Sequence, residues 1–318
     1  MRVAVVDCGT NTVRLLIADR GLAEGLIDVT RELRFARLGE GVDATGKFAP
    51  QAIQRVFTAV DDFAAIIKQA QVNKVRFVAT SAARDASNRE EFFAGVQARL
   101  GVTPEVISGQ EEADLSFLGA LSGGPLVSGS GEETAIRTGA SATVLVVDIG
   151  GGSTELIQGS PSGEVAAEIS LNMGSVRLRE RYLRHDPPTV DEIGAARQFI
   201  SSLLDHSGIS FDQVTIWIGV AGTNTSLSAM IQGLTTYDRT KVHNSNLNLT
   251  DIESISQRLL ELSVSQTLQA YPSLQPERAE VICAGVLICA EIGRRVRQPM
   301  VVRDTDILDG AALKLVTG

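Results

Sequence analysis

The chain has 318 residues, 44% hydrophobic and 21% charged, the proportions of a globular protein with room for about two domains. Its 29 basic and 38 acidic residues leave a net charge of −9, which argues against a nucleic-acid binder, whose surface runs basic. No apolar run approaches the roughly 18 residues of a membrane span, the opening MRVAVVDCGTN is unlike a signal peptide, and three cysteines without a CxxC pair fit a reduced cytoplasm.

In chain order, the first element is an apolar strand from Val3 running into Asp7, a turn at Gly9, and a second strand through Leu15. Residues 50–69 carry Ile53, Val56, Val60, Phe63 and Ile67 at helical spacing. VRFVA (75–79) reads as a strand followed by the loop TSAARDASN. Ser87 with Glu90, and Ser108 with Glu111, have the spacing of capping boxes and open two helices. A Gly/Ser/Thr-rich stretch, 122–142, reads as a loop or linker before a second strand from Val144 to Asp148. Thr189 and Thr250, each with Glu three residues on, mark further helix starts. VTIWIGVAG (214–222) is a buried strand, and DILDGAALKLV closes the chain as an apolar-striped helix.

Two of these segments echo each other. VAVVDCGTNTVRLLI and VLVVDIGGGSTELI align with Asp7 on Asp148, Gly9 on Gly150, Thr12 on Ser153 and Leu15 on Leu156. A repeat 141 residues apart points to two similar α/β domains rather than a solenoid, whose period is roughly 20 to 50 residues. Each copy reads as a hairpin whose glycines bare main-chain N–H groups for a phosphate, with a strand-end acid that can hold Mg²⁺ beside it. Strand alternation would put Ser153 and Glu155 on one face, and Arg14 stands in the first copy where the second has Glu155.

Rival phosphate motifs fail. Gly150 and Gly152 begin a GxG, but Glu155 takes the third glycine position and a strand follows, which excludes a dinucleotide-binding turn. GVDATGKF (41–48) has Phe48 where a P-loop needs a hydroxyl, and reads as a surface turn. Glu111 is accounted for by its cap, whereas Glu112 sits unused in the first helical turn. Arg84 follows a strand end, where α/β ligands bind, although most arginines merely coat surfaces. The three histidines have neither metal spacing nor a nucleophile beside them.

VVDCGTNTVRLLIAD, RLGEGVDATG, ATSAARDASN, SGQEEA, VVDIGGGSTEL, AGTNTSL and DILDGAAL occur in this order from end to end. In these the chain resembles the exopolyphosphatase and guanosine pentaphosphate phosphohydrolase (Ppx/GppA) family, in its short form without a C-terminal HD-type domain. The resemblance implies an α/β fold of two ribonuclease-H-like domains, 1–121 plus 300–318 and 122–299, flanking a cleft, as in actin, hexokinase and acetate kinase. It also implies Asp148 as the Mg²⁺ ligand and Glu112 and Glu155 as the residues that position and deprotonate water. Gly9, Thr10, Asn11, Arg84, Gly151, Gly152 and Ser153 would bind phosphate.

The implied substrate is inorganic polyphosphate, with pppGpp as the alternative. An ATP-dependent kinase using AGTNTSL as a nucleotide pocket, or a non-catalytic phosphate sensor, would need Glu112 to lose its role. A cytoplasmic homodimer is implied, with no nucleic acid or membrane partner. The charge of −9 should repel a polyanion, and Arg177, Arg179, Arg181 and Arg184, with Arg294, Arg295 and Arg297, either offset it or form solvated helix faces.

Overall fold

The computed structural model describes residues 1–21, 25–124 and 142–317, so most of the 122–142 stretch lies outside the described residues. The chain divides into two compact units, Met1–Ser122 with Ile307–Gly318, and Gly123–Asp306.

The first unit opens with β1 (Arg2–Cys8), β2 (Thr12–Arg20) and β3 (Leu26–Phe35), an antiparallel meander. A short helical turn, α1 (Val42–Thr45), and α2 (Pro50–Gln69) lead to β4 (Lys74–Ala79), which lies parallel to β1. Then come α3 (Ser81–Asp85), α4 (Arg89–Leu100), β5 (Glu105–Val106) and α5 (Gly109–Ser122). The sheet order is β3-β2-β1-β4-β5. Val3 to Val6 are all fully buried, because helices cover both faces and β1 therefore needs no polar side. On one face Val56, Val60 and Phe63 of α2 pack against Ala4, Val6, Leu15 and Ile17.

The second unit repeats the plan. β6 (Val144–Ile149), β7 (Thr154–Gly159) and β8 (Val165–Leu171) form the meander. α6 (Ser175–Tyr182) and α7 (Val190–Asp205) precede β9 (Ile216–Val220), which runs parallel to β6. After these come α8 (Ala221–Ile231), α9 (Arg239–Val242), β10 (Asn246–Leu247), α10 (Leu249–Glu261), α11 (Val264–Ala270), α12 (Pro276–Val296) and β11 (Met300–Val302). The order β10-β11-β9-β6-β7-β8 is the first sheet's order plus one edge strand.

That correspondence moves an expected boundary. Met300–Val302 pairs parallel to β9 as β5 pairs parallel to β4, so residues 300–306 belong to the second unit and not to the first. Only α13 (Ile307–Thr317) returns, laying Ile307, Leu308, Ala311, Ala312 and Val316 against Val3, Val5, Leu16 and Ala18. It also packs on α5 so closely that a Cβ on Gly310 would lie 2.8 Å from the Leu115 carbonyl carbon and nearer still to its oxygen.

Two of the expected helix starts differ. The Thr189–Glu192 box forms, but the Ser87 hydroxyl donates to Gly46 O and α4 starts at Arg89 behind Asn88, whose amide is spent on Phe48. Thr250 lies inside α10, which follows Asn248. GVDATGKF holds a helical turn between two left-handed glycines, Gly41 and Gly46, and it buries Val42 and Phe48.

Candidate active site

Both hairpins turn in the same way. Gly9 N–H donates to Thr12 O at 2.9 Å, and Gly150 N–H donates to Ser153 O at 3.0 Å. The acids preceding them differ in what stands opposite. Register pairs Asp7 with Arg14, and Asp7 Oδ2 accepts from Arg14 Nε at 3.1 Å and Nη2 at 2.7 Å. The first unit thus neutralises its strand-end carboxylate with a guanidinium.

In the second unit, register pairs Asp148 with Glu155, and Glu155 in turn with Ser170. Directly opposed residues share a face with Cβ atoms about 5 Å apart, and like charges there repel. Asp148 is 7% exposed and Glu155 1%. Ser170 Oγ donates to Glu155 Oε1 at 2.7 Å, fixing that carboxylate. Ser153 does not share this strand face, because β7 begins at Thr154 and Ser153 stands in the turn ahead of it.

Two buried carboxylates side by side suit a divalent cation. Mg²⁺ is held by one or two carboxylates, waters and substrate phosphate rather than by a full protein cage. No group of three or more His, Cys, Asp or Glu residues that could hold a metal ion occurs among the described residues. Asp148, with the Glu155 carboxylate beside it, could therefore hold Mg²⁺, whereas Asp7, paired with Arg14, is already neutralised.

The strand carrying Asp148 is pinned on both sides. Thr223 Oγ1 donates to Ile149 O at 3.2 Å, and Asn224 Nδ2 donates to Val147 O at 3.1 Å and Val220 O at 2.7 Å. Both come from the first turn of α8, entered through Ala221 with φ 65°, a strained conformation for alanine. AGTNTSL thus has a structural task at the hairpin, one that its sequence did not disclose.

In the first unit, the predicted residues Arg84 and Glu112 meet. Arg84, on α3 just beyond β4, donates from Nη1 to Glu112 Oε2 at 2.7 Å and to Ile107 O at 3.0 Å. Glu112 is 8% exposed in the first turn of α5. Ser108 Oγ caps that helix by accepting from Glu111 N–H at 3.0 Å. The Glu111 carboxylate does not close a capping box; it bridges to Arg76 at 2.7 Å on the surface. Thr10 Oγ1 lies 2.9 Å from Ser81 Oγ, which ties the first hairpin to α3.

Neighbouring groups narrow the chemistry. Burial pushes the Cys8 thiol well above its ordinary range, and the charge of Asp7 adds to the shift. It is a packing group and not a thiolate nucleophile. The basic stretches are largely consumed internally. Arg294 pairs with Glu253 and Glu291, Arg295 pairs with Asp205, and Arg179 closes the end of α6 on the Leu183 and His185 carbonyls.

The Ppx/GppA phosphatase family profile matches residues 16–304. The chain belongs to that family. It is 44% identical to Exopolyphosphatase 2 of Mycobacterium tuberculosis over 99% of this chain and 98% of the relative. A solved exopolyphosphatase-like protein superimposes with a TM-score of 0.88 at 36% identity, covering 99% of this chain and 97% of the other. The Ppx/GppA protein of Aquifex aeolicus gives a TM-score of 0.80 at 28% identity over 100% and 98% of the two chains. The two-sheet α/β architecture is that of the family.

Proposed function

We propose that this Ppx/GppA phosphatase is an exopolyphosphatase that releases orthophosphate from the end of inorganic polyphosphate. The observation that carries the reading is the buried Asp148–Glu155 pair, in register at a glycine hairpin, in a chain so similar to Exopolyphosphatase 2. Mg²⁺, held by Asp148 beside the substrate, would supply charge neutralisation on the transferred phosphoryl group.

The chain's own residues do the rest. Glu112 and Glu155 position a water and accept its proton as its oxygen bonds to the terminal phosphorus. The bridging P–O bond breaks, and the shortened chain leaves with the electron pair. Arg84 and backbone N–H groups of Thr10, Asn11, Gly151, Gly152 and Ser153 receive the charge spread over the phosphoryl oxygens, while Gly9, whose own N–H is spent on Thr12 O, contributes only its bare backbone to the turn. Arg84 also holds Glu112 in place, so its two tasks are joined.

A cytoplasmic setting belongs to the same reading, supported by three buried cysteines, all free. None of the described helices is long and apolar enough to cross a membrane. A homodimer is the further expectation, read out by light scattering. The functional test is orthophosphate release, with Mg²⁺, from long polyphosphate, tripolyphosphate, pppGpp and ATP in parallel. Preferential release from long polyphosphate is the expected result. Release from pppGpp alone would overturn the substrate assignment, and release from none would overturn the hydrolase.

A further inference from the structure

The glycine hairpin of the second unit does not set its own peptide orientation. The N-terminus of α6 does. Gly150 O accepts from Ser175 N–H at 2.9 Å and from Ser175 Oγ at 3.2 Å. Gly151 O accepts from Val176 N–H at 2.9 Å and from Arg177 N–H at 3.1 Å. In a trans peptide the carbonyl and the following N–H point in opposite directions. Turning the Gly150 and Gly151 carbonyls into α6 therefore turns the Gly151 and Gly152 N–H groups away from it. Neither N–H meets an acceptor among the described residues.

This arrangement needs α6 to begin in contact with the hairpin backbone, and Gly174 is what allows that. A Cβ there would stand 2.6 Å from Gly152 N and closer still to the Gly151 carbonyl. Gly174 has φ −135° and ψ 171°, an extended conformation open to any residue, so the demand is for space and not for a special dihedral.

The first unit also braces its hairpin from the segment after its third strand, through a turn instead of a helix and one carbonyl further along. Gly39, following β3 as Gly174 follows β8, donates its N–H to Thr10 O at 2.8 Å, and Ala36 and Arg37 donate to Asn11 O at 3.1 and 2.9 Å. A Cβ on Gly39 would lie 3.1 Å from Thr10 Cβ and nearer to its Cγ2. The repeat therefore extends beyond the hairpins to the segments that brace them.

We propose that Gly174 and Ser175 are positioning residues for phosphate binding, and that Gly39 is the first unit's counterpart. They act by fixing the hairpin peptides so that successive N–H groups are presented together to a phosphoryl oxygen. The proposal rests on the reading of these hairpins as phosphate sites.

Two variants test it by different means. Gly174→Ala forces the segments apart. Ser175→Pro deletes both donors to Gly150 O at the first helical position, where proline is favoured, behind a residue already extended as proline requires. Ser175→Ala, which keeps the N–H, is the conservative control. Binding of Mg²⁺-tripolyphosphate is measured by calorimetry, with KM and kcat on long polyphosphate and thermal midpoints alongside.

Ser175→Pro should bind roughly tenfold to a hundredfold more weakly, the scale of a lost charged hydrogen bond, with KM rising more than kcat falls. Gly174→Ala should do the same, and Ser175→Ala should stay within about threefold of wild type, since one bond of the pair remains. Equal affinity for wild type, Gly174→Ala and Ser175→Pro, whatever their melting points, overturns the proposal. Failure of wild type itself to bind tripolyphosphate overturns the phosphate-site reading instead. Should Gly174→Ala not fold, Ser175→Pro decides alone.

Discussion

Glu111 and Glu112 are adjacent in sequence and opposite in circumstance, so exchanging each for glutamine separates fold from chemistry. Glu111 has a side chain 40% exposed and shares Arg76 with Glu105, whose carboxylate pairs with the same guanidinium at 2.8 Å. With Arg76 half-buried but a second carboxylate on it and Glu111 open to solvent, the pair is worth about 1 kcal/mol, so Glu111→Gln should nearly keep its melting point and turn over within a few-fold of wild type. Glu112→Gln retains an amide oxygen able to accept from Arg84 Nη1. It trades a charge-assisted bond for a neutral one, a loss of about 1 kcal/mol. Its rate should nevertheless fall by roughly 10²–10⁴, the contribution of a positioned general base. Arg84→Ala removes the proposed phosphate ligand and the Glu112 anchor together. Its effect on kcat should therefore be much smaller in the Glu112→Gln background than in wild type, a coupling that a double-mutant cycle measures. The assay is orthophosphate release from polyphosphate at saturating Mg²⁺, beside thermal melting. A dead Glu111→Gln with a normal Glu112→Gln would refute the assignment of the active carboxylate. Strict additivity between Arg84→Ala and Glu112→Gln would refute the joint role.

Asp148→Asn should lower kcat by orders of magnitude and raise the Mg²⁺ concentration needed for half-maximal rate; full activity in excess chelator would remove the metal from the mechanism. Gly310→Ala should destabilise by about 1–3 kcal/mol in urea melts, because the added methyl meets backbone of α5 rather than a yielding side chain. Burial alone would raise the Glu192 carboxyl, but bonds from Thr189 N–H, the His185 ring and the Arg184 and His185 N–H groups bring it down to about 2. A lowered folded-state pKa gives stability that is present above the ordinary value near 4.5 and is lost as pH falls towards 2. The stability difference between wild type and Glu192→Gln should accordingly be level above about pH 5 and shrink below it.

What the sequence disclosed was local, and what it withheld was convergence. The helix at 50–69 was legible because Ile53, Val56, Val60 and Phe63 must line one face, and α2 spans those residues. The duplicated hairpin was legible because apolar runs, acids and glycines recur at matched registers. Arg84 and Glu112 were separate candidates, because nothing in a chain shows that a loop arginine and a helix acid 28 residues apart will bond. Ser170, Thr223, Asn224 and Gly174 went unnoticed for the same reason. Thr223, Asn224 and Gly174 each act on backbone atoms of a distant segment, which leave no trace in residue type, and Ser170 meets the Glu155 carboxylate only through the pairing of β7 with β8. The boundary at 300 failed because a three-residue strand carries too short a pattern to declare its sheet.

The return of α13 to the first unit bears on how the molecule is made. The second unit is one uninterrupted stretch, Gly123–Asp306, while the first is written in two pieces at opposite ends of the chain. During synthesis β1 and β2 emerge early, yet the face bearing Val3, Val5 and Leu16, which Ile107 and Leu115 cover in part, is completed only when Ile307 to Val316 arrive. The usual rule that N-terminal domains finish first therefore does not apply to the first unit, whose last element is encoded after the second. The first unit therefore cannot complete its packing until the whole of the second has been synthesised.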